Sequence, residues 1–417
     1  MTPKQNWAGN LTYRAAHLHK PTTLEEIQEI VRQSEKVRVL GSRHSFNTIA
    51  DTPGTHISLE ALENIVTIDR EHHTATINAG MKYGQLCEIL DRAEYALPNL
   101  ASLPHISVAG ACATATHGSG VENGNLATVV SAMELVTGMG EIVHVSRKDE
   151  AFNGMVVGLG ALGVVTKITL ELQSAFSVRQ YVYENLPLNE LSNHFDDILS
   201  NSYSVSLFTD WSRDVINQVW LKQRLTENTP GIGGPEWHGA TLAPVRRHPI
   251  VHLSAEPCTE QMGIPGPWYE RLPHFRMAFT PSSGEELQSE YFVAHKDAFA
   301  AFQAIGQIRD QISPLILISE VRTIAADNLW MSPCYQQDSV AFHFTWKMDW
   351  PGVRELLPKL EAQLAPFNAR PHWGKLFTMS PERLQSLYKK LSDFRQLLAT
   401  YDPQGKFRNT FLEMNIY

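Results

Sequence analysis

The chain reads as an α+β protein, and three features of its sequence predict this. Alternating β-branched runs occur in pairs joined by short polar or glycine-containing turns, as antiparallel hairpins do. Amphipathic helical stretches are mixed with these strands, and glycine-rich segments connect them over the first ~175 residues. Beyond that point the strand-like runs become aromatic, carry charged residues at alternate positions and are interspersed with further helical stretches.

Taken in order, Thr22-Thr23-Leu24-Glu25-Glu26 carries overlapping capping-box patterns ahead of Ile27, Ile30 and Val31, which predicts a helix over 23–35. Residues 37–40 (VRVL) read as a strand ending at Gly41. Residues 65–68 and 74–77 read as a hairpin across polar 69–73. Residues 83–93 read as a helix with Leu86, Ile89 and Leu90 on one face. A second hairpin joins 129–136 to 141–145 through TGMG, and 164–172 is another apolar strand. In the second half, 201–220 and 275–295 are strand-like, whereas 228–249, rich in Gly, Pro and His, reads as a long loop. A helix is expected over 296–311, strands over 315–323 and 339–347, and helices over 353–365 and 381–399.

Composition narrows the function classes. A chain of 417 residues accommodates two domains, and a net charge of −9 argues against nucleic acid or an anionic membrane as partner. Four scattered cysteines, Cys87, Cys112, Cys258 and Cys334, lack metal-ligand spacing and suit a reducing compartment without a disulfide framework. The N-terminal residues carry no apolar export signal, so a cytoplasmic location is expected, and no apolar run reaches membrane-spanning length. The chain has no GxSxG elbow, Walker A loop, HExxH or Cys/His cluster, and His72-His73 in a hairpin turn needs no metal.

The stretch around which the chain is organised is 96–120, ALPNLASLPHISVAGACATATHGSG. Small residues let a backbone approach a flat ligand closely, and its hydroxyls and N–H groups suit carbonyl or phosphate oxygens. The alternative is a tightly packed core turn. A second such loop, Gly41-Ser42-Arg43-His44-Ser45, follows the 37–40 strand, and two of them point to one large ligand held at several places. His44 is either a hydrogen-bonded loop residue or a neutral nucleophile towards a cofactor carbon. Residues 158–163 spell GLGALG, but a strand follows this GxGxxG match and none precedes it, which is the wrong context for a dinucleotide fingerprint.

Glu320 and Arg322 alternate with Val321, so both carboxylate and guanidinium lie on one face of a strand. His343 and Thr345 repeat the spacing on the next strand. The alternatives are an ion pair at a sheet edge and a polar pocket for several hydroxyls. Lys375, among aromatics in HWGKLF, either snorkels to the surface or is held with a perturbed pKa near a reacting centre.

With NWAGN, RVLGSRHSFN, SLFTDW, IPGPW, ERLPHFR, FTPSSGEELQSEY, RPHWGK and DPQGKF in addition, the sequence resembles the vanillyl-alcohol-oxidase type of flavoprotein over essentially its whole length, and within it the alditol oxidases. The resemblance implies a PCMH-type FAD-binding domain over 1–175, with 376–417 returning to it, and a substrate or cap domain over 176–375 with a mainly antiparallel sheet flanked by helices. It implies FAD attached covalently through His44, in a loop where Arg43 replaces the usual small residue. The positions matching the FAD-contacting segments are Gly41, Ser42, Arg43, Ser45, Ser102, Ser107, Gly110, Thr114, His117 and Val165. Ser102, Glu320, Arg322, His343, Thr345 and Lys375 match the substrate-binding residues, with Lys375 and Arg322 acting at the reacting hydroxyl. The implied reaction oxidises a terminal primary alcohol of xylitol or sorbitol to the aldehyde by hydride transfer to flavin N5, with O2 reduced to H2O2. The expected partners are thus a small polyol and O2, without nucleic acid, membrane or metal, and the expected state is a monomer. An aldonolactone oxidase or dehydrogenase of the same fold, and a flavin-free polyol-binding protein, are the alternatives.

Overall fold

A computed structural model describes residues 5–226, 229, 231, 232, 234–279 and 285–417. Parts of the 228–249 stretch and of FTPSSGEELQSEY therefore lie outside the described residues.

The first half is built on a five-stranded antiparallel sheet in the order Val66–Asp69, Thr74–Asn78, Val164–Glu171, Val130–Val136, Ile142–Ser146. The alternating residues of Val164–Glu171 bury one side in turn with Thr74–Asn78, so both expected hairpins are present. The helix Leu24–Gln33 starts where the capping box places it: Thr23 Oγ1 accepts from Glu26 N–H at 3.2 Å, and Glu26 Oε2 accepts from Thr22 N–H at 2.7 Å. Helix Tyr83–Arg92 packs on the sheet through Leu86, Cys87 and Leu90, but Ile89 is 37% exposed. At about 100° per residue, Ile89 falls outside the arc shared by Tyr83, Leu86, Cys87 and Leu90, which corrects the expected face.

The second half is a large antiparallel sheet. Its six long strands run in the order Ser177–Pro187, Val215–Arg224, Ser204–Thr209, Ile316–Ile324, Ser339–Lys347, Glu286–Ala294. Ser177–Pro187 is not apparent from the sequence: Arg179 and Glu184 obscure its pattern, and its pairing skips Asn185, which sits at φ 60°. The 228–249 stretch is not wholly loop, for the short strands Glu236–Trp237 and Ala240–Leu242 extend one sheet edge. One sheet face, with Leu207, Val321, Phe342 and Phe344, shares a core with Ile305 of Ala298–Gly306 and with Leu357 and Leu360 of Trp350–Leu364. Alternation then turns the polar residues of the same strands to the opposite face.

The helix expected over 381–399 is two helices, Pro381–Ser386 and Leu391–Tyr401. The break seats Tyr388 against the buried Trp373 at 4.8 Å, a tertiary contact that helical periodicity does not encode. Further on, the chain returns to the N-terminal helix. Lys406 Nζ donates to Val31 O at 2.8 Å and Arg32 O at 3.0 Å, and Phe407 packs beside Val31, Val37 and Val136.

Candidate active site

A cavity of about 410 Å³ runs between the five-stranded sheet with its loops and the polar face of the large sheet. Every site residue expected from the sequence lines it, from Gly41, Ser42 and His44 to His343, Thr345 and Lys375.

At the N-terminal end, the His44 ring stacks on Trp7 at 5.2 Å, while its Nδ1 is buried without a hydrogen-bond partner. Burial pushes the imidazole down to about 4, helped by the nearby positive groups, so the ring is neutral at physiological pH. Arg43 has φ 66°, a left-handed conformation that favours glycine. The small-residue stretch forms the wall opposite. A Cβ on Gly41 would stand 2.6 Å from Ser107 Oγ, and one on Gly110 2.8 Å from the same atom. Ser107 is therefore reached by two backbones at once, and its own N–H donates to Ser42 Oγ at 3.1 Å. Leu159, Gly160 and Gly163 of the GLGALG segment also line the cavity, with the strand Val164–Glu171 after them and the short helix Phe152–Met155 before them.

The His44 loop is stapled to the Lys375 turn. Phe46 N–H donates to Gly374 O at 2.7 Å, and Asn47 Nδ2 donates to Trp373 O at 2.9 Å and Lys375 O at 2.7 Å. Residues more than 320 positions apart in sequence are thus held in one rigid rim.

At the other end, sheet register assembles the polar cluster. Glu320 pairs with His343, and His343 pairs with Glu290 across three adjacent strands. Glu290, 1% exposed at its side chain, is the centre: its Oε2 accepts from Lys375 Nζ at 2.7 Å, its Oε1 from Arg322 Nη2 at 3.1 Å, and His117 Nε2 lies 3.2 Å from Oε1. Burial alone would raise the Glu290 pKa, but Lys375 and His117 hold it well below the carboxylate range. Lys375 Nζ also donates to His343 Nδ1 at 2.8 Å, leaving His343 Nε2–H for Thr345 Oγ1 at 3.0 Å. Burial lowers Lys375, opposed by Glu290 and reinforced by Arg322. Arg322 Nη1 donates to Ser102 Oγ at 3.2 Å. Arg322 Nε, 3.5 Å from Glu320 Oε1, is buried without a hydrogen bond.

Glu290 was missed in the sequence, although Glu286, Gln288 and Glu290 alternate with Leu287 and Ser289 and all three line the cavity. The spacing that singled out Glu320 and Arg322 would have found it. His117, expected at the cofactor, also belongs to this cluster. Among the described residues, the group able to hold a metal ion is Glu190, His194 and His238, none of which lines the cavity. No helix among them is long and apolar enough to cross a membrane.

Comparison with known proteins adds to this geometry. A family model described as an FAD binding domain matches residues 15–146, and one described as D-arabinono-1,4-lactone oxidase matches residues 285–415. An alditol oxidase of Streptomyces sp. (strain IKD472 / FERM P-14339) is 46% identical over 99% of this chain and 98% of its own. An L-gulono-1,4-lactone dehydrogenase of Mycobacterium tuberculosis is 25% identical over 97% of each chain. The crystal structure of a cholesterol oxidase from Brevibacterium sterolicum matches with a TM-score of 0.79 at 14% identity, over 99% of this chain and 96% of its own, which establishes the shared fold.

Proposed function

Since the chain belongs to the alditol oxidase family, we propose that it oxidises the terminal primary alcohol of alditols such as xylitol and sorbitol to the aldose with FAD as cofactor. The observation supporting this reading is the staple between the His44 loop and the Lys375 turn, made by the Phe46 N–H and the Asn47 side chain, which brings the small-residue loops and the polar cluster onto one cavity.

The residues fit FAD. A buried, neutral, unpartnered imidazole nitrogen at His44 suits covalent attachment, and Gly41, Ser42, Arg43, Ser45, Ser107, Gly110, Thr114, His117 and Val165 would hold the cofactor, with Ser102 at the junction. In domain terms, 1–175 with 376–417 would form the flavin-binding part and 176–375 the substrate part. Bound FAD would supply the hydride acceptor for the carbinol carbon and the route for its two electrons to O2, with H2O2 as the product.

The chain's own residues bind the polyol and move its proton. A neutral Lys375 amine has two N–H groups, enough to keep its bonds to Glu290 and His343, and its lone pair is then free for the substrate hydroxyl proton. The Arg322 guanidinium offsets the developing alkoxide charge. Glu320, His343, Thr345 and Ser102 bind the remaining hydroxyls. The match of residues 285–415 to a lactone oxidase model favours an aldonolactone as the second reading, since a lactone also presents several hydroxyls.

Purified protein is scanned for flavin absorbance and then mixed anaerobically with xylitol, sorbitol and L-gulono-1,4-lactone in turn. Bleaching by the polyols, with peroxide formed on admitting air, supports the reading. Bleaching by the lactone alone moves the assignment to the second reading, and colourless protein after expression with ample flavin overturns both.

A further inference from the structure

Lys222 lies on the strand Val215–Arg224 with its side chain wholly inside the protein, and no role in the cavity accounts for it. Its Nζ bonds to Leu272 O, to Pro273 O at 3.2 Å and to His274 Nδ1 at 3.1 Å. Burial lowers the Lys222 pKa to about 7, so at pH 6 Nζ is an ammonium with three hydrogens and no lone pair, and its three contacts use all of its donors and require His274 Nδ1 to be unprotonated. The remaining ring hydrogen then sits on Nε2, which lies 2.7 Å from Glu320 Oε1. Burial and the Lys222 charge depress the His274 pKa to about 4, in keeping with a neutral ring.

We propose that Lys222 and His274 are positioning residues for Glu320: Lys222 selects the Nε2–H tautomer of His274, and His274 fixes Oε1 of the carboxylate so that Oε2 is presented to a substrate hydroxyl. The proposal rests on the reading of Glu320 as a polyol ligand. Among the described residues, His274 and Arg322 are the partners of Glu320 and both approach Oε1, so the carboxylate is gripped at one oxygen. Arg322 alone approaches at 3.5 Å, outside good hydrogen-bond geometry, so orientation falls to His274. His274 is tied in turn to the substrate side of the cavity, its backbone N–H donating to Ser102 O at 3.1 Å. An orienting bond one residue behind the ligand acts as outer partners do at metal sites, by limiting the rotamers of the group that binds.

Packing offers a competing explanation, because the His274 ring also meets Phe208 at 5.6 Å and Trp220 at 5.1 Å edge-on. Two substitutions separate the roles. His274→Phe keeps an aromatic ring and loses both polar contacts. His274→Gln loses the ring but keeps an acceptor for Lys222 and an N–H donor for Glu320. If His274 positions Glu320, His274→Phe raises KM for xylitol about tenfold or more with kcat little altered, the size expected for losing one hydrogen bond to a charged group, and His274→Gln restores KM to within about threefold. If the ring only packs, the order reverses, and that result overturns the proposal.

A measurement independent of turnover accompanies these. In 15N-histidine-labelled holoenzyme at pH 6, the His274 signals should show the Nε2–H tautomer, and Lys222→Met, which has no N–H donor, should change that tautomer or mix it. An Nδ1–H tautomer in the wild type overturns the proposal. Wild-type protein that shows the Nε2–H signal but oxidises no polyol leaves Glu320 oriented and refutes its assignment as a polyol ligand.

Discussion

The Lys375 ammonium stands 2.7 Å from the Glu290 carboxylate, and Glu290 is shared with Arg322 and His117. Glu290 therefore sets how readily Lys375 loses its proton. Replacing Glu290 by Gln removes the charge that opposes burial, so the Lys375 pKa falls further. If neutral Lys375 accepts the hydroxyl proton, the acidic limb of the flavin-reduction rate moves to lower pH in Glu290→Gln. Lys375→Met should lower that rate by about 10²–10⁴-fold. Anaerobic stopped-flow reduction by xylitol across pH measures both, and an unchanged rate in Lys375→Met removes Lys375 as the proton acceptor.

His44 carries the expectation of covalent attachment. In wild-type protein, acid precipitation should leave the flavin in the pellet. In His44→Ala, flavin should move to the supernatant, because that variant has no nucleophile at this position. Since the imidazole becomes cationic only near pH 4, the yield of attached flavin should be flat between about pH 5.5 and 8 on reconstitution. A yield that climbs steeply through pH 6.5 would show an ordinary, unburied histidine.

Arg43 occupies a left-handed backbone position at φ 66°, which costs an L-residue about 1–2 kcal/mol relative to glycine. Its side-chain contact, Nη1 to Gln5 O at 3.2 Å, is exposed and contributes little in return. Glycine adds back some unfolded-chain entropy, about 0.4–1 kcal/mol. Arg43→Gly should therefore melt at the same temperature as wild type or about a degree or two higher, whereas Arg43→Val should melt lower. Thermal unfolding followed by circular dichroism decides between them, and a clear loss of stability in the glycine variant contradicts this account of the loop.

Acid stability follows from the buried imidazoles. His248, His274 and His343 are each pushed to about 4, by burial first of all. In the unfolded chain they titrate near 6.5, so below that pH the unfolded state binds more protons than the folded one. Their contribution is complete above pH 6.5 and is lost as pH falls towards 4, on the order of 1–3 kcal/mol per ring. The urea midpoint should accordingly drop between pH 7.5 and pH 5, and a midpoint that holds or rises on acidification would mean that these rings are charged in the folded state.

Much of this architecture was legible because strand alternation and helix caps are local. The pairs Glu320/Arg322 and His343/Thr345 each declare a polar face within three residues. The Thr22–Glu26 capping box similarly announces its own helix. Glu290 obeyed the same alternation and went unread because Ser289 is polar and blurs the contrast. The strand Ser177–Pro187 was hidden by its charged residues, and the strand Val215–Arg224 that pairs with it lies some thirty residues further along the chain. The break at Tyr388 depends on Trp373, which periodicity in 381–399 cannot register.

By itself the sequence determined most of the segments that form strands and helices, the polar faces at Glu320/Arg322 and His343/Thr345, and the family to which the whole belongs. Only the tertiary structure decided that Glu320, His343 and Glu290 stand in one row, that Lys375 returns to that row, and that Lys222 reaches Glu320 through His274. The reason is physical. Side-chain direction along a strand follows from backbone geometry two residues at a time, whereas strand order and register follow from packing and hydrogen bonding summed over residues distant in the chain.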